Sequence, residues 1–498
     1  MSHTSFVERG DVHIDTDWVV VGSGAGGASA AVTLARAGAR VTIVEAGAWR
    51  DPEHYPSTTW AAMRDLMPDT GAGVVVGRAA WPLVQGFAVG GSTVINSAIC
   101  VRTPEDIFAE WSLSTGIDGA ELGRRMGDAQ DALMGELEAT PSPTVGYGRM
   151  NELAALGAQR VGYASERTHR FVRDCEGAGR CLQGCRARKK RSMNLTFVPE
   201  VLTRNGAVLS CAPVASVQWN GKRAIGVSGH FRHPQTRRWG AKFSVRASKG
   251  VVIAASATRS APLLRASGFR HPALGTGFRA HPGTGVMGWY DDPVDMNVGV
   301  TQGWQSLAFR KDSRLKLETL SIPFELAASR LPGGGAALTE RVADYRHLCM
   351  WVLAVRAEAE GTVGRRFGVP WIRYSAPPAD MERMREGLRV LAQTHFAAGA
   401  RWVLPNVAGL PWRISAGELS KIDDASLDPR AWVCILSHLF GGAVLGADPA
   451  RSVVDVDGRV RGAESLFVAD ASILPGNIGV NPQLTIMAMA RVCAERWL

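Results

Sequence analysis

The stretch from Trp18 to Glu45 most narrows what this chain can fold into. Four apolar residues, Trp18-Val19-Val20-Val21, lead into Gly22-Ser23-Gly24-Ala25-Gly26-Gly27. Small residues follow to Gly38, and a second apolar run, Val41-Thr42-Ile43-Val44, ends at Glu45. That order predicts strand, tight turn, helix and strand, the opening of a parallel, doubly wound sheet. Each glycine of the G-x-G-x-x-G spacing has its own reason. Gly22 permits the turn, Gly24 lets a pyrophosphate approach the backbone, and Gly27 lets helix and strand pack closely. The helix N-terminus offers unpaired N–H groups and a positive dipole end to phosphate. Glu45 stands 23 positions after Gly22, where a carboxylate accepts the hydroxyls of an adenosine ribose. With 56 glycines in the chain, the glycine spacing alone says little. The full order of strand, glycines, helix, strand and terminal acid carries the reading.

Composition sets the frame. At 498 residues the chain exceeds one ordinary domain, so two interleaved ones are expected. Hydrophobic residues at 46% and charged residues at 20% describe a globular protein with a large core. No apolar run reaches transmembrane length, and Met1 to Asp17 has no signal-peptide core, so a protein that is not transmembrane and lies in the cytoplasm is expected. In that reducing compartment the eight cysteines are expected to be free of disulfides. The net charge of +10 fits an acidic partner, a membrane surface or nucleic acid. Aromatic and basic residues do not interleave as a nucleic-acid groove requires, so no nucleic acid is expected as partner.

Further along, Gly86-Phe87-Ala88-Val89-Gly90-Gly91-Ser92-Thr93-Val94-Ile95-Asn96 sets two adjacent glycines among small residues, letting backbone press on a flat or anionic ligand. Together with the glycine fingerprint, Ala257–Gly268 and the run Phe467–Met489, this segment resembles the glucose–methanol–choline oxidoreductase family, with the motifs in the family's order from end to end. The resemblance implies an α/β fold: a Rossmann-type FAD-binding domain with an interleaved substrate domain on a mostly antiparallel sheet. The expected division is 1–110, FAD-binding; 111–200, a helical and loop insertion; 201–282, FAD-binding; 283–430, substrate domain; 431–498, FAD-binding and catalytic. It implies FAD rather than NAD as cofactor. Gly90, Gly91, Ser92 and Asn96 would lie against the flavin, the Val214 backbone against adenine, and Asp470 against the ribityl and phosphate region. Pro482 opens a helix whose N-terminus points at the flavin.

Cys175, Cys181 and Cys185 form a C-x5-C-x3-C cluster of soft ligands, a spacing suited to iron–sulfur or zinc. The pattern is similar to sugar dehydrogenases of the family that carry a three-iron cluster, and to the cysteine-rich segment of long-chain alcohol oxidases. In the latter a further Cys would fall near Ala178, and the common proline is replaced here by Arg186. Three cysteines do not complete a four-ligand site. Two readings stand, an iron–sulfur cluster or a glycine-rich loop with free thiols. Arg186 to Arg191 holds five basic residues in six, either a solvated loop or a dock for an electron acceptor.

The remaining elements alternate. Gly119–Glu138 reads as a helix; short strands follow from Ala207 to Arg246, broken at Asn220-Gly221; Gly250–Ala255 reads as a buried parallel strand. In the substrate domain, Leu348–Arg356 and Pro370–Tyr374 read as strands. Pro378–Ala398 reads as a helix with Met381, Met384, Leu388 and Leu391 on one face. Any of Glu318, Glu325, Glu358 and Glu360 could line its cavity. Near the C-terminus, His438 in Ser437-His438-Leu439-Phe440-Gly441 and Asn481 in Gly479-Val480-Asn481-Pro482 match the two active-site positions of the family. An imidazole titrating near neutrality suits acid–base work. The implied reaction is oxidation of a primary or secondary alcohol. His438 would take the hydroxyl proton, Asn481 would hold the oxygen, and the hydride would go to flavin N5. Asn where many members have His leans toward an apolar alcohol. Oxygen, a quinone or a redox protein would accept the electrons. Alternatives are the flavin subunit of an electron-transfer dehydrogenase with an iron–sulfur cluster, and a redox-silent lyase on the same fold.

Overall fold

The computed structural model describes residues 2–498. The first apolar run is the buried half of a longer strand, Val12–Val21. Its first residues alternate between water and protein, and Trp18 to Val21 are buried on both faces. Val41–Val44 pairs with it in parallel, and Ala207–Leu209 and Ser2–Thr4 extend the sheet on that side. On the other side lies Trp239–Ile253, one strand where the sequence predicts two pieces. The predicted gap, Ala247 to Gly250, is a register shift inside the strand rather than a break. The lower half of this strand pairs antiparallel with Arg223–Arg232, and its upper half pairs in parallel with Leu466–Val468. Val214–Asn220 closes this edge through the hairpin turn at Gly221, whose φ of 59° is left-handed. Helix Ala25–Arg36 packs on the sheet beside helix Gln483–Glu495, so the beginning and end of the chain share one core.

A second core lies under an antiparallel sheet. Its strands run in the order Ile414–Ser415, Trp402–Leu404, Arg279–Trp289, Leu348–Val355, Leu315–Thr319, Trp304–Ser306 and Glu166–Arg167. Ile435–Phe440 also pairs with Arg279–Trp289. Helix Pro378–Ala397 covers the sheet and buries the predicted face of Met381, Met384, Leu388 and Leu391 completely. The proline-rich stretch after Ala48 is less irregular than its sequence reads. It holds helix Thr59–Leu66 and strands Val74–Val76 and Ala80–Pro82. These strands join Thr362–Arg366 and Val369–Arg373 in a small separate sheet, so a segment from the N-terminal part pairs with the substrate part. Among the described residues no helix is long and apolar enough to cross a membrane.

Candidate active site

The turn after Val21 is built so that only backbone fills it. Gly22 has a φ of 102°, and a Cβ there would overlap the Ala254 carbonyl oxygen. A Cβ on Gly27 would overlap the Gly22 carbonyl, and one on Gly91 would come within 2.8 Å of Gly24 Cα. Gly24 differs: the nearest atom to its missing Cβ is 4.0 Å away. Its open side faces a cavity of about 1160 Å³, larger than the roughly 300–1,000 Å³ of a site for one drug-sized ligand. Helix Ala25–Arg36 starts there without a side-chain cap, leaving its first N–H groups free for an anion.

Buried carboxylates brace this cradle. Glu45 Oε2 accepts the Ser23 amide at 2.9 Å and the Ser23 hydroxyl at 2.7 Å, and Oε1 accepts the Gly47 amide at 2.8 Å. The Ser23 Oγ in turn accepts the Gly90 amide at 2.9 Å, tying the two glycine loops together. Asp470 accepts the Ser256 and Ser472 amides, both at 2.8 Å. Burial pushes both carboxyls above their ordinary range, and these hydrogen bonds pull the other way. Asn96 donates to Gln483 Oε1 at 2.7 Å and accepts from the Ala98 amide at 3.0 Å.

One cavity is lined by Gly22, Gly24, Glu45, Gly91, Ser92, Asn96, Val214, Asp470 and Pro482, together with His438 and Asn481. Gly27 and Gly90 stand behind its wall and shape it. The catalytic pair predicted near the C-terminus therefore shares a single space with the predicted nucleotide cradle.

The strand pairing sets the far end. Arg279–Trp289 and Ile435–Phe440 run antiparallel with His281 opposite His438, and their Nδ1 atoms are 3.1 Å apart. The Gly479 amide donates to His281 Nε2 at 3.0 Å and to Asn477 Oδ1 at 3.1 Å. Asn481 Nδ2 lies 3.4 Å from His438 Nε2 and donates to it when that nitrogen carries no proton. Behind Asn481 lies a buried ion pair, with Lys316 Nζ 2.5 Å from Glu318 Oε1 and side-chain exposures of 2% and 6%. Lys316 also donates to Asn481 Oδ1, and Gln302 donates to Glu318 Oε2 at 3.3 Å. Burial lowers the His438 pKa to about 4, Glu318 opposing and Lys316 assisting, and burial drives His281 well below its ordinary value. Both imidazoles are neutral at pH 7. Burial also lowers Lys316, against the pull of Glu318.

Comparison with known proteins places this arrangement. The family profile described as GMC oxidoreductase matches residues 20–283 and 360–490. The chain belongs to the GMC oxidoreductase family. It is 35% identical to an uncharacterized GMC-type oxidoreductase of Mycobacterium tuberculosis over 485 residues, covering 96% of this chain and 75% of that one. It is 26% identical to a long-chain-alcohol oxidase of Arabidopsis thaliana over 529 residues, covering 98% and 67%. In fold it is similar to pyridoxine 4-oxidase from Mesorbium loti, with a TM-score of 0.72, 18% identity and coverage of 97% and 99%. GMC oxidoreductases bind FAD, and the residues here fit that group. The cradle is open only at Gly24, a free helix N-terminus faces it, and a carboxylate lines the wall one strand away.

Among the described residues, Cys175, Cys181 and Cys185 do not bring their sulfurs within 4.8 Å of one another, and the group that meets this test is the exposed Asp51, Glu53 and His54. A guanidinium reaches between two of the sulfurs instead: Arg170 Nη1 lies 3.7 Å from Cys175 Sγ, and Nη2 3.3 Å from Cys181 Sγ. This arrangement lends no support to the iron–sulfur reading. The basic run is not uniformly solvated either, since Lys190 is buried.

Of the four candidate acids, Glu318 lines the cavity, while Glu358 and Glu360 pair with surface arginines and Glu325 accepts from Thr59. Sequence reasoning did not single out Lys316 or His281. The signal for His281 was its place in Phe278-Arg279-Ala280-His281-Pro282, on a strand that pairs with the His438 strand. Lys316 had one weak signal, a charge alternating with Leu315 and Leu317 two places before Glu318.

Proposed function

We propose that this chain is an FAD-dependent oxidoreductase that oxidises the hydroxyl of an apolar alcohol to a carbonyl. One observation carries the reading: His438, Asn481 and Glu318 line the same cavity as the glycine cradle. The apolar residues Leu320, Ile322, Leu326, Met350, Val352 and Ile435 also line it, which favours a hydrocarbon substituent over a sugar. The long-chain-alcohol oxidases among the relatives point the same way.

When bound, FAD supplies the hydride acceptor. The protein orders the oxygen and its proton. Asn481, its amide fixed by Lys316 at Oδ1, presents Nδ2–H toward His438 Nε2 and the space where an alcohol oxygen would sit. Two proton arrangements of the histidine pair are open. With the Gly479 amide on His281 Nε2, His281 Nδ1–H donates to His438, and His438 Nε2–H donates into the cavity. With the Gly479 amide on Asn477, the pair reverses, and His438 Nε2 is bare to accept the hydroxyl proton. The second arrangement serves as base, and the first stabilises alkoxide charge. His281 is thus a positioning residue.

The test is anaerobic single-turnover reduction of the flavin by a series of primary and secondary alcohols. An apolar alcohol is expected to bleach the flavin, and His438→Ala to slow the bleaching by roughly 10²–10⁴-fold. An undiminished rate in His438→Ala removes the imidazole from the mechanism. A flavin that no alcohol bleaches sinks the activity itself.

A further inference from the structure

The cavity wall carries a partly buried cation that the protein leaves without a counter-charge. Arg330 follows the short helix Phe324–Ala328, and its amide donates to the Ala327 carbonyl at 3.0 Å. Tyr345 holds the start of this segment, its hydroxyl donating to the Ile322 carbonyl at 2.8 Å. Arg330 lines the cavity together with Ile322, Pro323 and Leu326. Among the described residues its enclosed Nη1 meets no hydrogen-bond acceptor, and no carboxylate pairs with the guanidinium. Other buried cations are treated differently. Arg310 lies 2.9 Å from Asp106 and Arg491 2.8 Å from Glu136, while Arg356 pairs with Glu110 and Lys316 with Glu318. Arg170 and Lys190 donate to backbone carbonyls. Burial disfavours the charge on Arg330, and the Cys434 thiol pulls the other way. Burial raises that thiol, so it is neutral at pH 7 and supplies no negative charge. An arginine nevertheless keeps its proton. An enclosed charge without a partner is costly, and a ligand that brings the opposite charge recovers that cost on binding. A guanidinium fits a planar carboxylate through two parallel hydrogen bonds. Cys434 directly precedes the strand Ile435–Phe440 that carries His438. Four residues of strand span about 13 Å, so the cation and the imidazole stand apart on the wall, with the apolar Ile435 also lining it.

We propose that the substrate is a hydroxy acid, an apolar chain that offers its hydroxyl to His438 and Asn481 and its carboxylate to Arg330. This rests on the alcohol oxidation proposed above and narrows it to one substrate class. At the hydroxyl carbon the C–H bond breaks and its hydride passes to the flavin. The O–H bond breaks, its proton passes to His438, and the C–O bond becomes C=O. The carbon loses two electrons and the flavin gains them. The carboxylate keeps its bonds and its charge throughout. It serves as a handle that fixes how far along the cavity the hydroxyl can sit.

The experiment separates binding from chemistry and uses the FAD-loaded protein. Hexanoate, octanoate and decanoate, which have no hydroxyl to oxidise, are titrated by calorimetry against the primary amides of the same chains. The wild type is expected to bind at least one acid about tenfold or more tighter than its amide, the gain from a charged hydrogen-bonded pair. In Arg330→Met acid and amide should bind within about threefold of each other. Arg330→Lys, which keeps the charge and loses the fork, should retain part of the preference. Should Arg330→Met not fold, the wild-type comparison and Arg330→Lys decide. The terminal hydroxy acids of the same three chains should then bleach the flavin anaerobically at about tenfold or more lower concentration than their amides. Equal binding of acids and amides by the wild type overturns the carboxylate site, even where octanol bleaches the flavin. A preference that survives intact in Arg330→Met overturns the assignment to Arg330. If the acids bind through Arg330 but no hydroxy acid or alcohol bleaches the flavin, the alcohol chemistry falls, and the hydroxy acid as substrate with it, while the anion site stands.

Discussion

Lys316 gives its protons to one carboxylate and one amide, both buried beside His438. Removing it strands a charge. Lys316→Met leaves Glu318 unpaired and should cost about 3–5 kcal/mol in denaturant melts. Lys316→Met with Glu318→Leu should recover most of that stability while flavin reduction stays slow, because Asn481 has lost its anchor. A double variant as fast as the wild type would show that the pair only fills space. The histidines predict a pH dependence. His438 has a pKa of about 4 and His395, stacked on Trp351, one of about 3, both lowered by burial from 6.5. The unfolded imidazoles take protons that the folded ones refuse, so stability is fully present above pH 6.5 and is lost as pH falls toward 4. The slope reaches about 1.4 kcal/mol per pH unit for each histidine. His395→Gln should flatten the melting-temperature profile between pH 6.5 and 4 by one residue's share. Flavin reduction, which needs neutral His438, should fall only near pH 4; a fall near 6.5 would contradict that burial. Sequence pointed to His438 and Asn481, which line the cavity, because they sit in short local patterns. It did not disclose Lys316, whose meaning depends on a partner 165 positions away.

At the scale of elements, the glycine turn separates packing from binding. Gly27→Ala should destabilise the fold by roughly 1–3 kcal/mol, since its methyl group meets the Gly22 carbonyl. Gly24→Ala meets no protein atom closer than 4.0 Å. It should leave the unloaded fold within about 0.5 kcal/mol of wild type and weaken FAD binding by about tenfold or more, or 1.4 kcal/mol. Fluorescence titration of the unloaded protein checks this, and unchanged affinity would place the phosphates elsewhere. Elements with a strong period were legible: the helix Pro378–Ala397 ends within one residue of the reading. Val74–Val76 was not, because three residues carry no period and the strand exists only through its pairing with Ala80–Pro82 and Arg373. The long strand Trp239–Ile253 was read in halves because its two halves have different neighbours, one antiparallel and one parallel.

Over the whole molecule, the cavity lies between two cores that touch it from opposite sides. Bound FAD would therefore bridge them. Removing it should lower the melting temperature by several degrees, and FAD at a hundredfold excess over its Kd should restore about 2.7 kcal/mol. Riboflavin should restore little, since it leaves the Glu45 and Val214 end empty; equal melting with and without FAD would argue against a bridging site. The sequence did not disclose that Arg310 and Arg356, from loops that adjoin the second sheet's strands, donate to the carbonyls of Ile478 and Asn477 just before Asn481. The pairing of His281 with His438 joins positions 157 residues apart, and Asp470 and Pro482 complete the cavity wall from later still. A chain emerging from the ribosome thus carries its phosphate turn long before it has the opposing half of the vessel. Capture of the prosthetic group must wait until Asp470 and Pro482 have been made, so a product truncated before them would lack a wall of the vessel and its redox centre rather than be a leaky enzyme.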